Sequence, residues 1–336
     1  MMIHAHAASS AKGRLQPFEY DAGPIGPRQV DVRVTHCGIC HTDAAVVDND
    51  FGVSRYPLVP GHEAVGVVAA VGAEVERLEV GQRVGVGPMC GSCMKCEWCE
   101  GGLQHLCPNV ELTIFGGHHG AFATHVRVSD RRFAFPLPDE IKSEHAAPLM
   151  CAGATVFTPI LQYGVGPTDR VAVVGVGGLG HLAVQYLAKW GCDVTAVSSS
   201  RDKEDQARML GARRFIATRG TDELRKAARS FDFIFCTVSG GLPWDEYVAA
   251  LRPRGKLCII GIPDKPVTFG AFGLINGEKS IVGGQTGSVG DTTEMLAFTA
   301  RHGIKPIIET FAMAEADRAL EHTRSGKARF RAVLIA

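Results

Sequence analysis

The stretch Asp169-Arg170-Val171-Ala172-Val173-Val174-Gly175-Val176-Gly177-Gly178-Leu179-Gly180 decides the fold. Its first half is a short, mostly β-branched apolar run that reads as a buried strand. Its second half is a GxGxxG loop, and the residues over 181–190, closed by Gly191, predict a helix. A GxGxxG alone is weak; placed between a strand and a helix it opens a βαβ unit that holds a dinucleotide. The glycines allow a tight turn, so that backbone N–H groups and the helix N-terminus face a pyrophosphate. Gly175, Gly177, Gly178, Leu179 and Gly180 are therefore expected to bind cofactor. The competing reading is a turn in a core α/β unit that holds no ligand.

Working outward, a second strand over 193–197 ends in Ser198-Ser199-Ser200-Arg201-Asp202-Lys203. An acid near Ser199 would take the ribose hydroxyls of NAD and repel a 2′-phosphate. Ser198, Ser199, Ser200, Arg201 and Lys203 instead offer donors and positive charge, which predicts NADP(H), with Asp202 diluting the charge. A solvated helix start capped by serine is the alternative. Strands over 214–217, 231–238, 256–261 and 280–283 alternate with helical patterning over 202–211, 222–230 and 244–251. This is the pattern of an α/β, doubly wound parallel sheet. The strand ends at Thr237, Val238 and Gly261 should border the cofactor crevice.

The first half of the chain reads differently, as short strands punctuated by Pro and Gly. The alternating run Val30-Asp31-Val32-Arg33-Val34 predicts a half-buried strand that delivers Cys37-Gly38-Ile39-Cys40-His41-Thr42-Asp43 at its end. Cys40, His62 and Cys151 make three metal ligands with a fourth position open for water or substrate, the pattern of a catalytic zinc. Asp43 is the candidate to orient His62, because a metal-bound imidazole usually donates its other N–H to a carboxylate. An ordinary loop carboxylate is the bland alternative. The Thr42 hydroxyl, both donor and acceptor, can pass a proton out of a buried site. A second cluster, Cys93-x2-Cys96-x2-Cys99-x7-Cys107, gathers four thiolates suited to zinc or an iron–sulfur centre. Cys90 reads as a bystander or an occasional competing ligand, Cys37 as structural, and His36, His118, His119 and His125 are not assigned to metal.

Taken together, GICHTD, PLVPGHE, PLMCAG and GVGGLG resemble a zinc-dependent medium-chain alcohol dehydrogenase. SSS after the second strand and GGQTGS near the end are most similar to the cinnamyl-alcohol dehydrogenase group of NADPH-linked enzymes. The resemblance runs from about Gln29 to the C-terminus. It implies a GroES-like catalytic domain with two zinc ions per subunit, Cys93, Cys96, Cys99 and Cys107 holding the structural one. It further implies exchange of Glu63 into the catalytic metal's shell, cofactor contacts from His41 and Arg331, and a homodimer. For Arg331 a solvated terminal charge is an equal reading. Two departures stand out. The family's proton relay ends at a histidine three residues after Thr42, where this chain has Ala45; water or His41 is expected to substitute. The stretch 112–120 is shorter than the family's usual substrate loop, so pocket size does not carry over.

The bounds agree with this reading. The 336 residues suit two domains, expected as catalytic 1–151 with 289–336, and a dinucleotide-binding 152–288. Helices are expected over 292–302 and 314–325. Lys+Arg and Asp+Glu both number 35, so no global field favours nucleic acid or an acidic membrane. No apolar run reaches the roughly 18 residues of a membrane span, and the N-terminus lacks a signal-type segment. Eleven cysteines, an odd number, fit reduced thiolates and metal in a cytoplasmic enzyme better than a disulfide framework. The expected reaction is hydride transfer across the interdomain cleft between NADP(H) and an aromatic or aliphatic alcohol/aldehyde pair. Reduction of a conjugated double bond or imine is the alternative within enzymes, and a non-catalytic NADPH-binding protein the alternative outside them.

Overall fold

The computed structural model describes residues 1–336 and divides into two units, Met1–Ala152 with Thr286–Ala336, and Gly153–Gln285. In the first unit a seven-stranded sheet runs in the order Ile308–Ala312, Arg331–Ile335, Val30–Ile39, Ala64–Val71, Arg83–Val86, Ala134–Pro136, with His125–Val128 also pairing on Val30–Ile39. Val30–Ile39 is the hub. One edge pairs along its length with Ala64–Val71; the other takes His125–Val128 at its start and Arg331–Ile335 at its end. The alternation in the sequence predicts one buried face, but the strand is covered more fully than that. Even Asp31 is buried, because Arg127 holds both its oxygens, Nε on Oδ1 at 2.7 Å and a terminal nitrogen on Oδ2 at 2.9 Å. The unit's core gathers Ile3, Val32, Ile39, Val47, Val84, Phe122, Val126 and Phe133, all fully buried. A hairpin of Met2–Ala7 and Gln16–Asp21 supplies Ile3 to it.

Cys37-Gly38-Ile39 finishes the strand, and a helix, His41–Asp48, begins immediately after Cys40. That helix is not legible in the sequence. Ala44, Ala45, Val46 and Val47 are consecutive and all buried, so no 3.6-residue stripe separates a wet face from a dry one.

The second unit is a six-stranded sheet, parallel throughout, in the order Arg214–Ala217, Asp193–Ser198, Arg170–Val174, Phe231–Cys236, Leu251–Ile259, Ser280–Gly283. Numbered within the unit this is 3-2-1-4-5-6, the doubly wound order of dinucleotide-binding sheets. Its core includes Ala172, Val197, Ile234, Tyr247 and Leu257. Helix Gly180–Trp190 follows the glycine loop and stops at Gly191, whose φ of 113° only glycine adopts readily. Two expected helices are shorter than their patterns: 222–230 yields only Glu223–Lys226, and 202–211 opens as a 3₁₀ turn, Arg201–Lys203, before Glu204–Met209. The helices expected over 292–302 and 314–325 are Val289–His302 and Ala316–Arg324. No helix is long and apolar enough to cross a membrane.

Candidate metal centres and dinucleotide loop

Three separate backbone devices bring one cluster together in the first unit. Cys40 caps helix His41–Asp48 from the end of the central strand. His62 follows Gly61, which has φ 103°; a Cβ there would stand 2.6 Å from the Phe122 ring and 2.7 Å from its backbone nitrogen, so only glycine lets the chain pass. Cys151 lies on a π-turn, Leu149–Gly153, between helices Ser143–Pro148 and Ala154–Gln162. Such single π-turns recur at functional sites because they swing a side chain out of helical register. One ligand atom from each of Cys40, His62, Glu63 and Cys151 lies within 4.8 Å of the others.

Asp43 fixes the orientation. It is completely buried, and its carboxylate accepts from His62 Nδ1 (2.9 Å), Gly61 N (2.8 Å) and Cys40 N (2.9 Å). With Nδ1 committed, His62 turns Nε2 towards the sulfurs. Neither His62 Nε2 nor Glu63 Oε2 has a partner in the protein, although both are buried. An orphaned buried polar atom costs about 1–3 kcal/mol, and a cation among these four groups would satisfy both. Two thiolates, an imidazole and a carboxylate are a donor set suited to zinc. Gly38 makes the room: a Cβ there would lie 2.1 Å from Glu63 Oε2.

The charges fit the same reading. A hydrogen bond from Cys151 holds the Cys40 thiol well below its ordinary range, helped by His62 and Arg331, while the same contact pushes Cys151 well up. A divalent cation would favour the thiolate form of both sulfurs. Burial drives the Glu63 carboxyl up to about 7 against the pull of Arg331. Burial disfavours charge on His62, but Asp43 and Cys40 outweigh it and raise the imidazole well above its usual value. Arg331 is buried and ion-paired with Glu63, which excludes the solvated terminal charge offered by the sequence reading. Thr42 Oγ1 lies 3.7 Å from Cys40 Sγ. Ala45 is buried, and His41 is exposed on the first turn of the same helix. His36 bonds Thr35 Oγ1 at 3.0 Å, and His119 packs on Tyr20 with ring centroids 4.4 Å apart.

The cysteine tetrad of Cys93, Cys96, Cys99 and Cys107 also converges within 4.8 Å. The Sγ separations are 3.5 Å for Cys93–Cys107, 3.8 Å for Cys96–Cys107 and 3.9 Å for Cys93–Cys99. Sulfurs about 2.3 Å from a tetrahedral zinc stand about 3.8 Å apart. The match is close. The Lys95 backbone N–H leads in lowering the Cys93 thiol to about 6, and Asn109 N donates to Cys107 Sγ at 3.3 Å.

In the second unit the glycine loop sits between the carboxyl ends of the first and fourth strands, where the order of the sheet reverses. Gly175 has φ 91°, and a Cβ on it would strike Val238 at 2.3 Å; one on Gly180 would lie 1.7 Å from Gly175 O. Nothing lies within 4 Å of a Cβ on Gly177, which leaves its backbone open to a ligand. The Thr237 hydroxyl donates to Val174 O (2.8 Å) and Gly175 O (3.1 Å), pinning the strand end under the loop. Gly261 must be small because a Cβ would meet Thr237 C and Val238 O, each at 2.7 Å.

Lys203 Nζ donates to Val176 O (3.1 Å), over the loop. Arg201 is spent elsewhere, on Glu204 (2.8 Å) and Glu223. The Ser200 hydroxyl bonds Asp202. Arg219, which the sequence analysis does not single out, also stands beside the serine run. Its backbone N–H donates to Ser199 O (3.0 Å), its side chain is exposed, and it enters no ion pair. The signal was available: Arg219 follows strand three by two residues, and parallel neighbours end side by side.

Comparison with known proteins bears on these sites. Residues 26–139 match the family described as alcohol dehydrogenase GroES-like domain, and residues 178–301 that described as zinc-binding dehydrogenase. The chain is 43% identical over 333 residues to the aldehyde reductase AdhA of Synechocystis sp., spanning 99% of this chain and 98% of that one. Among solved structures, a cinnamyl alcohol dehydrogenase of Sorghum bicolor is 37% identical with TM-score 0.95, over 100% of this chain and 98% of that chain. The cinnamyl alcohol dehydrogenase of Helicobacter pylori complexed with NADP(H) is 27% identical with TM-score 0.91, over 100% and 98%.

Proposed function

The chain belongs to the zinc-binding alcohol dehydrogenases with a GroES-like domain, and from that premise we propose that it is an NADPH-linked aldehyde reductase, reversible as an alcohol dehydrogenase. The observation that carries the reading is the pair of orphaned buried atoms, His62 Nε2 and Glu63 Oε2, beside the two sulfurs of Cys40 and Cys151.

In this reading Cys40, His62 and Cys151 hold the catalytic zinc, and Cys93, Cys96, Cys99 and Cys107 the structural one. When bound, the first ion supplies a Lewis acid for the substrate oxygen and the nicotinamide supplies hydride. Asp43 keeps His62 in one tautomer and one orientation. Glu63 is a reserve ligand whose charge Arg331 balances, which gives Arg331 an electrostatic task beside the metal. Thr42, next to Cys40, hands the substrate oxygen its proton, and since Ala45 carries none, the onward route runs through water or His41. Gly175, Gly177, Gly178, Leu179 and Gly180 take the pyrophosphate. Ser199 and Lys203 take the 2′-phosphate with Arg219, because Glu204 and Glu223 claim Arg201.

The unit Met1–Ala152 with Thr286–Ala336 is then the catalytic domain, and Gly153–Gln285 the cofactor domain. Eleven free cysteines suit a reducing compartment, so the reading places the enzyme in the cytoplasm, as a homodimer like the group it resembles. The test is an aldehyde panel assayed with NADPH and NADH on protein of measured zinc content. NADPH oxidation faster than NADH oxidation is expected on aromatic or aliphatic aldehydes. No turnover across the panel with both metals present would overturn the reading.

A further inference from the structure

A third group of ligand-type side chains meets in the first unit, on the hairpin of Met89–Gly91 and Glu111–Leu112. Met89 pairs with Leu112 and Gly91 with Glu111, so Cys90 is one residue too many, a β-bulge. Bulges re-aim a side chain, and this one is anchored. The Cys90 carbonyl accepts from Ser129 N (2.8 Å) and Asp130 N (3.2 Å). Its Sγ lies 3.5 Å from the Glu111 carbonyl oxygen, and the residue is 1% exposed.

The Glu111 carboxylate lies close over Gly91 while staying open to solvent. A Cβ on Gly91 would stand 3.1 Å from Glu111 Cδ and 3.2 Å from Oε2. From the loop that follows, His118 brings Nε2 to 3.8 Å from Glu111 Oε2. One ligand atom each of Cys90, Glu111 and His118 lies within 4.8 Å of the other two. A separation of 3.8 Å is too long for a hydrogen bond. It is within a few tenths of the N–O edge of a tetrahedral site, about 3.4 Å from metal bonds of 2.0–2.2 Å.

We propose that Cys90, Glu111 and His118 form a third metal site, for a divalent cation of the zinc class, which staples the loop 113–120 to the Met89–Gly91 hairpin. Thiolate and imidazole together select zinc-like ions over magnesium or calcium. Glu111 and His118 are about two-fifths exposed (44% and 40%), so an ion enters from solvent and water fills the fourth position. The ends of the loop are anchored, by Thr113 Oγ1 on Gly87 O (2.6 Å) and by His119 on the Tyr20 ring, and the ion would hold its middle, where Gly116 and Gly117 sit consecutively at φ 70° and 96°, exposed and without side chains to pack. This gives Cys90 a site of its own where the sequence reading allowed at most an occasional competing ligand, and places on metal a His118 that the sequence reading left unassigned.

The test compares full-length native protein with Cys90→Ser, Glu111→Gln and His118→Gln. Each is equilibrated with zinc, desalted and measured for metal per chain and for hydrogen exchange over 113–120. Each variant is expected to hold one equivalent fewer than native, whatever the native total, and to exchange faster in that loop. Because the readout is a difference, it stands apart from the catalytic assignment. The two surface variants keep the test alive if Cys90→Ser misfolds. Glu111→Gln and His118→Gln that match native in both metal and exchange would overturn the proposal, even if Cys90→Ser alone lost metal.

Discussion

Replacing Asp43 with Asn isolates the contribution of a residue that touches no metal itself. The native carboxylate accepts three N–H groups in full burial, from His62, Gly61 and Cys40. An amide accepts at only one end. If its oxygen keeps the place of Oδ1, its NH₂ faces the Cys40 N–H, and that buried donor goes unsatisfied at a cost of about 1–3 kcal/mol. The bonds to His62 and Gly61 survive but change from charge-assisted to neutral, roughly halving their strength. Part of this cost falls on the metal-ready arrangement, because the same contacts set the Cys40 backbone and the His62 ring. At about 1.4 kcal/mol per factor of ten, affinity at the Cys40–His62–Cys151 site should fall about 10- to 100-fold, the usual range for such partners. Chelator competition with metal counting reads this directly, and the cysteine tetrad serves as internal control. The variant should lose its catalytic zinc at lower chelator while keeping the structural one. Equal midpoints for native and variant would refute the argument. Parallel loss of both ions would do the same, since it would mean general unfolding.

Five further variants test other parts of the account. Cys40→Ser should lose the catalytic metal and turnover together, and full activity in that variant would contradict the ligand set. Ser199→Asp sets a carboxylate against a 2′-phosphate; at about 4 Å in water this costs roughly 2 kcal/mol, so the NADPH/NADH ratio of kcat/KM should drop about thirtyfold. Arg219→Ala should lower kcat/KM about tenfold for NADPH and leave NADH unchanged, and equal effects on both cofactors would remove Arg219 from the phosphate site. Gly180→Ala forces a methyl to 1.7 Å from Gly175 O and should destabilise the protein by about 3 kcal/mol or more in thermal unfolding. Gly177→Ala, with open space around it, should leave Tm unchanged but weaken dinucleotide binding, read by fluorescence titration. Native-like binding in both glycine variants would contradict the loop assignment.

The two units differ in how much of them could be read from residues. The parallel sheet is legible because apolar strand runs, glycine punctuation and helical periodicity alternate in register with the structure. Helix His41–Asp48 is not, because its run Ala44–Val47 is buried on every side and carries no period. The cysteine tetrad is legible since its four ligands lie within 15 positions of chain, and a short loop has few other uses for them. Arg201 and Arg219 look alike in sequence, and only the placement of Glu204 and Glu223 decides that Arg201 is ion-paired while Arg219 is not. Cys90 is read as surplus until the bulge turns it towards Glu111 and His118.

By itself the sequence determined the glycine loop, the donor residues of the two clusters that converge in the first unit and the alternation of strand and helix. Each of these is a local demand, for a φ or a close approach that suits glycine, or for a donor atom of a given softness. The tertiary structure alone decided that Glu63 meets Arg331 across 268 residues, that Asp43 serves three donors at once, and that Cys90 has company. Those facts depend on where distant side chains point once buried. Burial makes unpartnered polar atoms costly, and so forces pairings that no stretch of chain announces alone.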